Sequence, residues 1–165
     1  MNHSYLLQAG APNSPKSLLK FDVTGIPTGA TVDEATLRLY YLGRSNGNTL
    51  TLGTHRVLAD WTDSQANWNQ RQTGVNWQVA GMGSGSDYLA AADGSVDVLG
   101  NGGSWVELDV SDMAQAWVDN ATDNKGLVVL QEAASGSVIY SFCSELGWSP
   151  CSAAQAPKLT IWYRP

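Results

Sequence analysis

The sequence predicts an all-β fold: a single β-sandwich with one short helix and a long decorated loop region. Apolar residues recur mostly with a period of two, and clusters of Gly, Pro, Asn and Asp interrupt them at roughly ten- to fifteen-residue intervals. Only one stretch has helical spacing. At 165 residues, with 43% hydrophobic side chains, the chain has the length and apolar content of one domain, expected to span 1–165. Seven tryptophans and only 15% charged residues are the opposite of a disorder signature. The net charge of −6 argues against a nucleic-acid partner, which needs a basic face. No apolar run approaches the ~20 residues that span a bilayer, so membrane insertion is not expected.

Ser17–Val23 reads as the first clear strand, stopped by the turn Thr24-Gly25-Ile26-Pro27-Thr28-Gly29. Ala35–Leu42 is the best strand: Leu37, Leu39 and Tyr41 share one face, and Thr36, Arg38 and Tyr40 the other. Ser45-Asn46-Gly47-Asn48 is a hairpin signal, with Thr49–Leu58 as the expected partner strand. Residues 59–104 are irregular and rich in Gly, Ser, Asn and Asp, yet carry Trp61, Trp68, Trp77 and Tyr88. So much aromatic surface predicts an ordered excursion over an edge or end of the sheet.

Trp105–Val110 is a strand, after which Ser111 is placed to cap a short helix with Asp112 in its first turn. Met113, Ala116 and Trp117 fall at i, i+3 and i+4 and give that helix an apolar face. Gly126–Leu130, Ser137–Phe142 and Lys158–Tyr163 are the last three strands.

Two cysteines stand eight positions apart, Cys143 and Cys151. They read either as free buried thiols or as a disulfide closing a loop that holds Gly147 and Pro150; a bridge would imply an oxidising compartment. Met1-Asn2-His3-Ser4 lacks the pattern of a secretory leader, so secretion would imply an excised domain, a processed chain or a misplaced start codon. Asn2-His3-Ser4 and Asn120-Ala121-Thr122 are glycosylation sequons, a common chance triplet.

An ordered series of phrases carries a family resemblance. It comprises Ser17–Asp22, Ile26–Val32, Ala35–Tyr40, Asp60-Trp61-Thr62-Asp63 with Ala66-Asn67-Trp68-Asn69, Leu108-Asp109-Val110 with Gln115–Val118, and Pro157–Ile161. Together these resemble the DNRLRE (disaggregatase-related) domain, which is grouped with carbohydrate-binding modules, over about residues 5–163. The resemblance implies a secreted jelly-roll-type sandwich acting as an accessory module, often beside polysaccharide-degrading domains; some such domains are similar to modules that bind alginate-like polymers. The family's first strand is absent here, which leaves an edge that another chain could complete, unless the start is misassigned or truncated. Tyr140–Glu145 also departs from the family's aromatic-Ser-Arg-Glu phrase.

Chemistry-bearing motifs are few. His3 and His55 are the only histidines, and no phosphate loop, nucleophile elbow or zinc-protease motif is present. Glu107, Asp109, Glu132 and Glu145 are the carboxylates available for glycoside hydrolysis, with nothing in their spacing to show convergence. Calcium is the cofactor the sequence accommodates best, with Asp87, Asp93 and Asp97 as weak candidate ligands; solvated acidic loops are the plain alternative.

The aromatics are the main lead, because sugar rings present apolar C–H faces that stack on flat side chains. Trp61, Trp68, Trp117 and Trp162 are expected to pack inside. Trp148, within the cysteine loop, and Trp77 and Tyr88, in the excursion, are the candidates for ligand contact. Lys20, Arg38 and Tyr40 would form a cationic-aromatic patch for an anionic polysaccharide if their two strands pair. The expected function is a non-catalytic extracellular module that binds a polysaccharide. The alternative is a structural or adhesion module that assembles by strand donation.

Overall fold

A computed structural model describes residues 6–11, 15–145 and 149–165. Trp148, His3 and the Asn2 sequon lie outside the described residues. Two antiparallel sheets enclose one main core, as the period-two pattern predicts. The larger sheet runs β1 (Leu6–Gly10), β10 (Ile139–Cys143), β3 (Thr31–Arg44) and β11 (Lys158–Arg164), and β8 (Ser104–Asp109) also pairs with β3. The smaller runs β2 (Ser17–Leu19), β9 (Leu127–Ala134), β4 (Leu50–Arg56) and β7 (Gly94–Val98). A short hairpin joins β5 (Gln70–Gln72) to β6 (Val75–Asn76).

Strand β3 organises the larger sheet. Its alternation buries Ala35, Leu37, Leu39 and Tyr41 completely, while Thr36, Arg38 and Tyr40 point the other way. Facing it across the core are Leu50 and Leu52 of β4 and Leu127 and Val129 of β9. Tyr41 stacks on Tyr140 at 5.2 Å between ring centroids and tilts against Phe142 at 5.6 Å. The helix α1 (Ser111–Asp119) inserts Met113, Ala114 and Trp117 into the same core. Gln115 ties the helix to the start of β3, accepting from the Val32 N–H at 2.7 Å. Cys143, at the end of β10, is bridged to Cys151.

Three local expectations are corrected. The 45–49 turn does not make a hairpin: β3 and β4 belong to different sheets, and the turn crosses between them. The asparagines act through their side chains, with Asn46 and Asn48 both donating to the Ser137 carbonyl. Ser111 does not cap its helix; its hydroxyl accepts from the Ala35 N–H at 2.9 Å and donates to Asp109 at 2.6 Å. The apolar helix face is Met113, Ala114, Trp117 and Val118, with Ala116 only half-buried.

The expected excursion at 59–104 is corrected at its far end: residues 94–98 form β7, whose Val96 and Val98 alternate with Ser95 and Asp97 at the edge of the smaller sheet, and the cluster over that sheet's outer side comes from residues 59–88. Along β9, Leu127 and Val129 face the main core while Val128 and Leu130 face a second cluster with Val57, Ala66, Trp77, Met82 and Tyr88. Leu18 and Leu19 divide the same way. The outer side of the smaller sheet is therefore covered over β2, β9 and β4, with Ser95 and Asp97 of β7 exposed, and the outer side of the larger sheet is open over β3, β8 and β11.

Candidate functional site

That open face is built from three strands. Residues 36–38 of β3 pair with β11 and also with β8, so those strands flank β3 on opposite sides. Outward side chains therefore form cross-strand rows: Lys158–Arg38–Glu107, Thr160–Thr36–Asp109, Tyr40–Trp105 and Trp162–Glu34. From the Tyr40 row to the Glu34 row is six residues of β3, or about 20 Å. An extended polymer can lie along such a length.

Trp105 is the centre of one end. Tyr40 meets it edge-on, with centroids 5.2 Å apart and planes at 82°. The Arg38 guanidinium and the Lys158 ammonium each lie 4.9 Å from its ring centroid. Cations over an indole are attracted by the ring quadrupole and hold its orientation. Glu107 pairs with Arg38, Oε1 to Nε at 2.9 Å, leaving this end with two cations against one anion. At the other end Trp162 is 67% exposed. A half-buried indole at one end and an exposed one at the other, with hydroxyls and cations between them, can stack on sugar C–H faces and hydrogen-bond sugar oxygens.

The structure brings together only part of the predicted set. Arg38 and Tyr40 share the patch, but Lys20 does not: β2 pairs with β9 in the smaller sheet, so the expected strand pairing is absent. Trp77 and Tyr88 are corrected from ligand contacts to core, 4% and 9% exposed. The Trp77 indole N–H is taken by the Asn67 carbonyl at 2.9 Å, and Tyr88 packs edge-on against His55. Tyr88 keeps one edge in a cleft of about 230 Å³ shared with Lys16 and Gln131. Trp117 packs inside and Trp61 half-buried, as expected, whereas Trp68 and Trp162 are exposed. Trp105, Lys158 and Trp162 are the site residues that the sequence reading passed over.

The metal candidates do not converge. Asp87 is buried and accepts from the N–H groups of Gln78, Val79 and Gly83 at 2.8–3.0 Å. Asp93 pairs with Arg56 at 2.9 Å, and its burial raises its pKa. Asp97 accepts from the Thr51 hydroxyl at 2.6 Å. Among the described residues no three His, Cys, Asp or Glu side chains form a metal-holding group.

Of the catalytic candidates, Glu107 and Asp109 stand in neighbouring rows of this face, each with a partner, and Glu132 lies in the other sheet. Glu107 is held by Arg38, and Glu132 meets His55 in the other sheet. The hydroxyl and backbone N–H of Ser111 hold Asp109 below the usual carboxylate range. A glycosidase acid needs its pKa raised instead.

A β-sandwich with an open sheet face lined by indoles and cations offers a surface along which a sugar chain can lie. The sequence profile of carbohydrate-binding module family 96 matches residues 4–161, and the chain belongs to that family. No curated protein matches it.

Proposed function

We propose that this chain is a non-catalytic, secreted module that holds a polysaccharide along the outer face of its larger sheet, with an acidic sugar unit at the Trp105 end. The observation that carries the reading is the arrangement of Arg38 and Lys158 over Trp105 on the outer side of the larger sheet. The indole supplies the stacking surface, and the two cations suit a sugar carboxylate. Family membership supports carbohydrate as the ligand, the ordered phrases shared with the DNRLRE family agree, and the disulfide supports an oxidising compartment.

Native affinity electrophoresis through gels containing alginate tests the reading. Trp105→Ala leaves the inward-facing Val106 and Leu108 untouched and is expected to weaken retention more than tenfold, about 1.4 kcal/mol or more. Raising salt is expected to weaken the wild type as well. Unchanged retention of a folded Trp105→Ala protein would overturn the proposal.

A further inference from the structure

We infer that Trp68 forms a second carbohydrate-contact site, on the opposite layer of the molecule from the sheet face and suited to a neutral glycan. The inference rests on the carbohydrate-binding reading above, but not on the site proposed there. Trp68 is 47% exposed, although Trp77 and Met82 of the same excursion are buried at 4% and 2%. A single exposed ring is ordinary on a protein surface; this one is set apart by being held in place.

The indole is a fixed platform. Gly81 donates its N–H to the Trp68 carbonyl at 2.6 Å. The ring itself rests on Gly81, where a Cβ would fall 2.4 Å from Cζ2 and 2.5 Å from Cη2. Gly81 also has φ +79°, so glycine is required there twice over. On the other side, Asn67 Oδ1 accepts from the N–H groups of Asn69 and Gln70 and fixes the turn. Lys16 then ties the supporting loop to the strand layer, its ammonium donating to the carbonyls of Gly81 at 2.6 Å and Met82 at 3.0 Å.

The surroundings define the ligand class. Residues 64–86 contain one charged side chain, Arg71, whose guanidinium donates to the Asp60 carbonyl, and the one cation brought to Gly81 from outside that stretch, Lys16, spends its ammonium on the Gly81 and Met82 carbonyls. Asn69, Asn76 and Gln78 are exposed, and the Gln70–Asn76 pairing with the Trp77 N–H bond to the Asn69 carbonyl brings their backbone beside that of Trp68. Side-chain amides offer a donor and an acceptor together, which suits neighbouring sugar hydroxyls. The sheet face, by contrast, presents Arg38 and Lys158. Because the excursion lies over the smaller sheet, the two sites face away from each other, and one chain can hold two polymer segments of different charge.

Affinity electrophoresis of wild type, Trp68→Ala and Trp105→Ala, in alginate and in a neutral panel of β-glucan, galactomannan and xylan, tests this. The expected result is a crossed pattern. Trp68→Ala loses at least tenfold affinity for a neutral polymer and less than twofold for alginate; Trp105→Ala does the reverse. Gln78→Ala, a milder change at the same platform, is expected to weaken neutral binding alone. The inference is overturned if no neutral polymer retards the wild type, if Trp68→Ala and Gln78→Ala bind neutral polymers unchanged, or if Trp105→Ala alone abolishes both. Alginate binding lost in Trp68→Ala but kept in Trp105→Ala would overturn both readings.

Discussion

Glu132 reaches across the smaller sheet to His55. The β4–β9 register skips at this point, pairing Thr51 with Ala133 and Leu52 with Gln131, so Glu132 is the bulged residue. A bulge re-aims a side chain, and here it sends the carboxylate over Gly53 to the His55 Nε2. The imidazole is 3% exposed, and its Nδ1 donates to the Leu89 carbonyl at 2.7 Å. The pair thereby links both strands to the 89–91 segment that leads into β7.

Gly53→Ala should break this link. A Cβ at that position would lie 2.3 Å from Glu132 Oε1, so the carboxylate must leave His55. The expected loss is about 1–3 kcal/mol, the cost of leaving a buried polar group unpaired. In a Glu132→Ala background the same substitution should cost almost nothing. Urea denaturation of the four proteins in that cycle measures the coupling; equal costs in both backgrounds would refute the arrangement.

The buried phenol of Tyr41 predicts an alkaline limb. Tyr41 is fully buried, and burial, with the neighbouring Tyr140, pushes its pKa to about 12 from an ordinary value near 10. In that window the unfolded chain releases the proton and the folded chain keeps it, so stability is lost as pH rises from 10 through 12. Tyr41→Phe should flatten that limb. Because the Tyr41 hydroxyl is buried beside Tyr140, which raises its pKa further, the substitution is expected to change the Tm at neutral pH by less than about 4 °C, about 1 kcal/mol, while removing the alkaline loss. An alkaline limb that persists unchanged in Tyr41→Phe would refute the assignment to Tyr41.

The disulfide spans a loop of eight positions between Cys143 and Cys151. Chain-entropy arithmetic for so short a loop gives about 2.5 kcal/mol. Reduction, or Cys143→Ala with Cys151→Ala, should lower the unfolding free energy by about that amount while leaving retention through Trp105 intact, since Trp105 lies on β8. If reduction alone abolishes alginate retention, the loop belongs to the site.

The strands were legible because a half-buried strand writes its burial into a period of two. The same period, applied strictly, also reveals the site. Leu159 and Ile161 point inward, so Lys158, Thr160 and Trp162 must point outward; Val106 and Leu108 do the same for Trp105 and Glu107. Reading Trp162 as core followed its hydrophobicity instead of its phase. Other features were not legible from local pattern. Which strand neighbours which is decided by closure of the two sheets, and this separated Lys20 from Arg38. Burial of Trp77 and Tyr88 depends on the excursion folding onto Val128 and Leu130, forty or more positions away in sequence. The 45–49 turn has hairpin residues, yet its flanking strands pair with others. Turn chemistry specifies the reversal but not the partner.

Glu107 should act as a brake on the proposed site. Its carboxylate holds Arg38 at 2.9 Å, and its side chain is 57% exposed, so the pair is a solvated one. Such pairs contribute roughly 0–1 kcal/mol to stability, and Glu107→Gln should leave the fold's Tm within a few degrees. Binding should respond more. An incoming sugar carboxylate must compete with Glu107 for Arg38 and also sit near its charge. Removing that charge frees the guanidinium and leaves Arg38 and Lys158 as uncompensated cations over Trp105. Affinity for alginate is therefore expected to rise about two- to fivefold at low salt, the gain shrinking as added salt screens the charges. Arg38→Ala should move affinity the other way, and Glu107→Gln should then have little further effect in that background. Isothermal titration with alginate oligosaccharides, using the single and double variants at two salt concentrations, reads all three changes. A Glu107→Gln protein that binds alginate more weakly would mean that Glu107 contacts the ligand directly, as an acceptor for sugar hydroxyls, and that the sheet face prefers an uncharged chain.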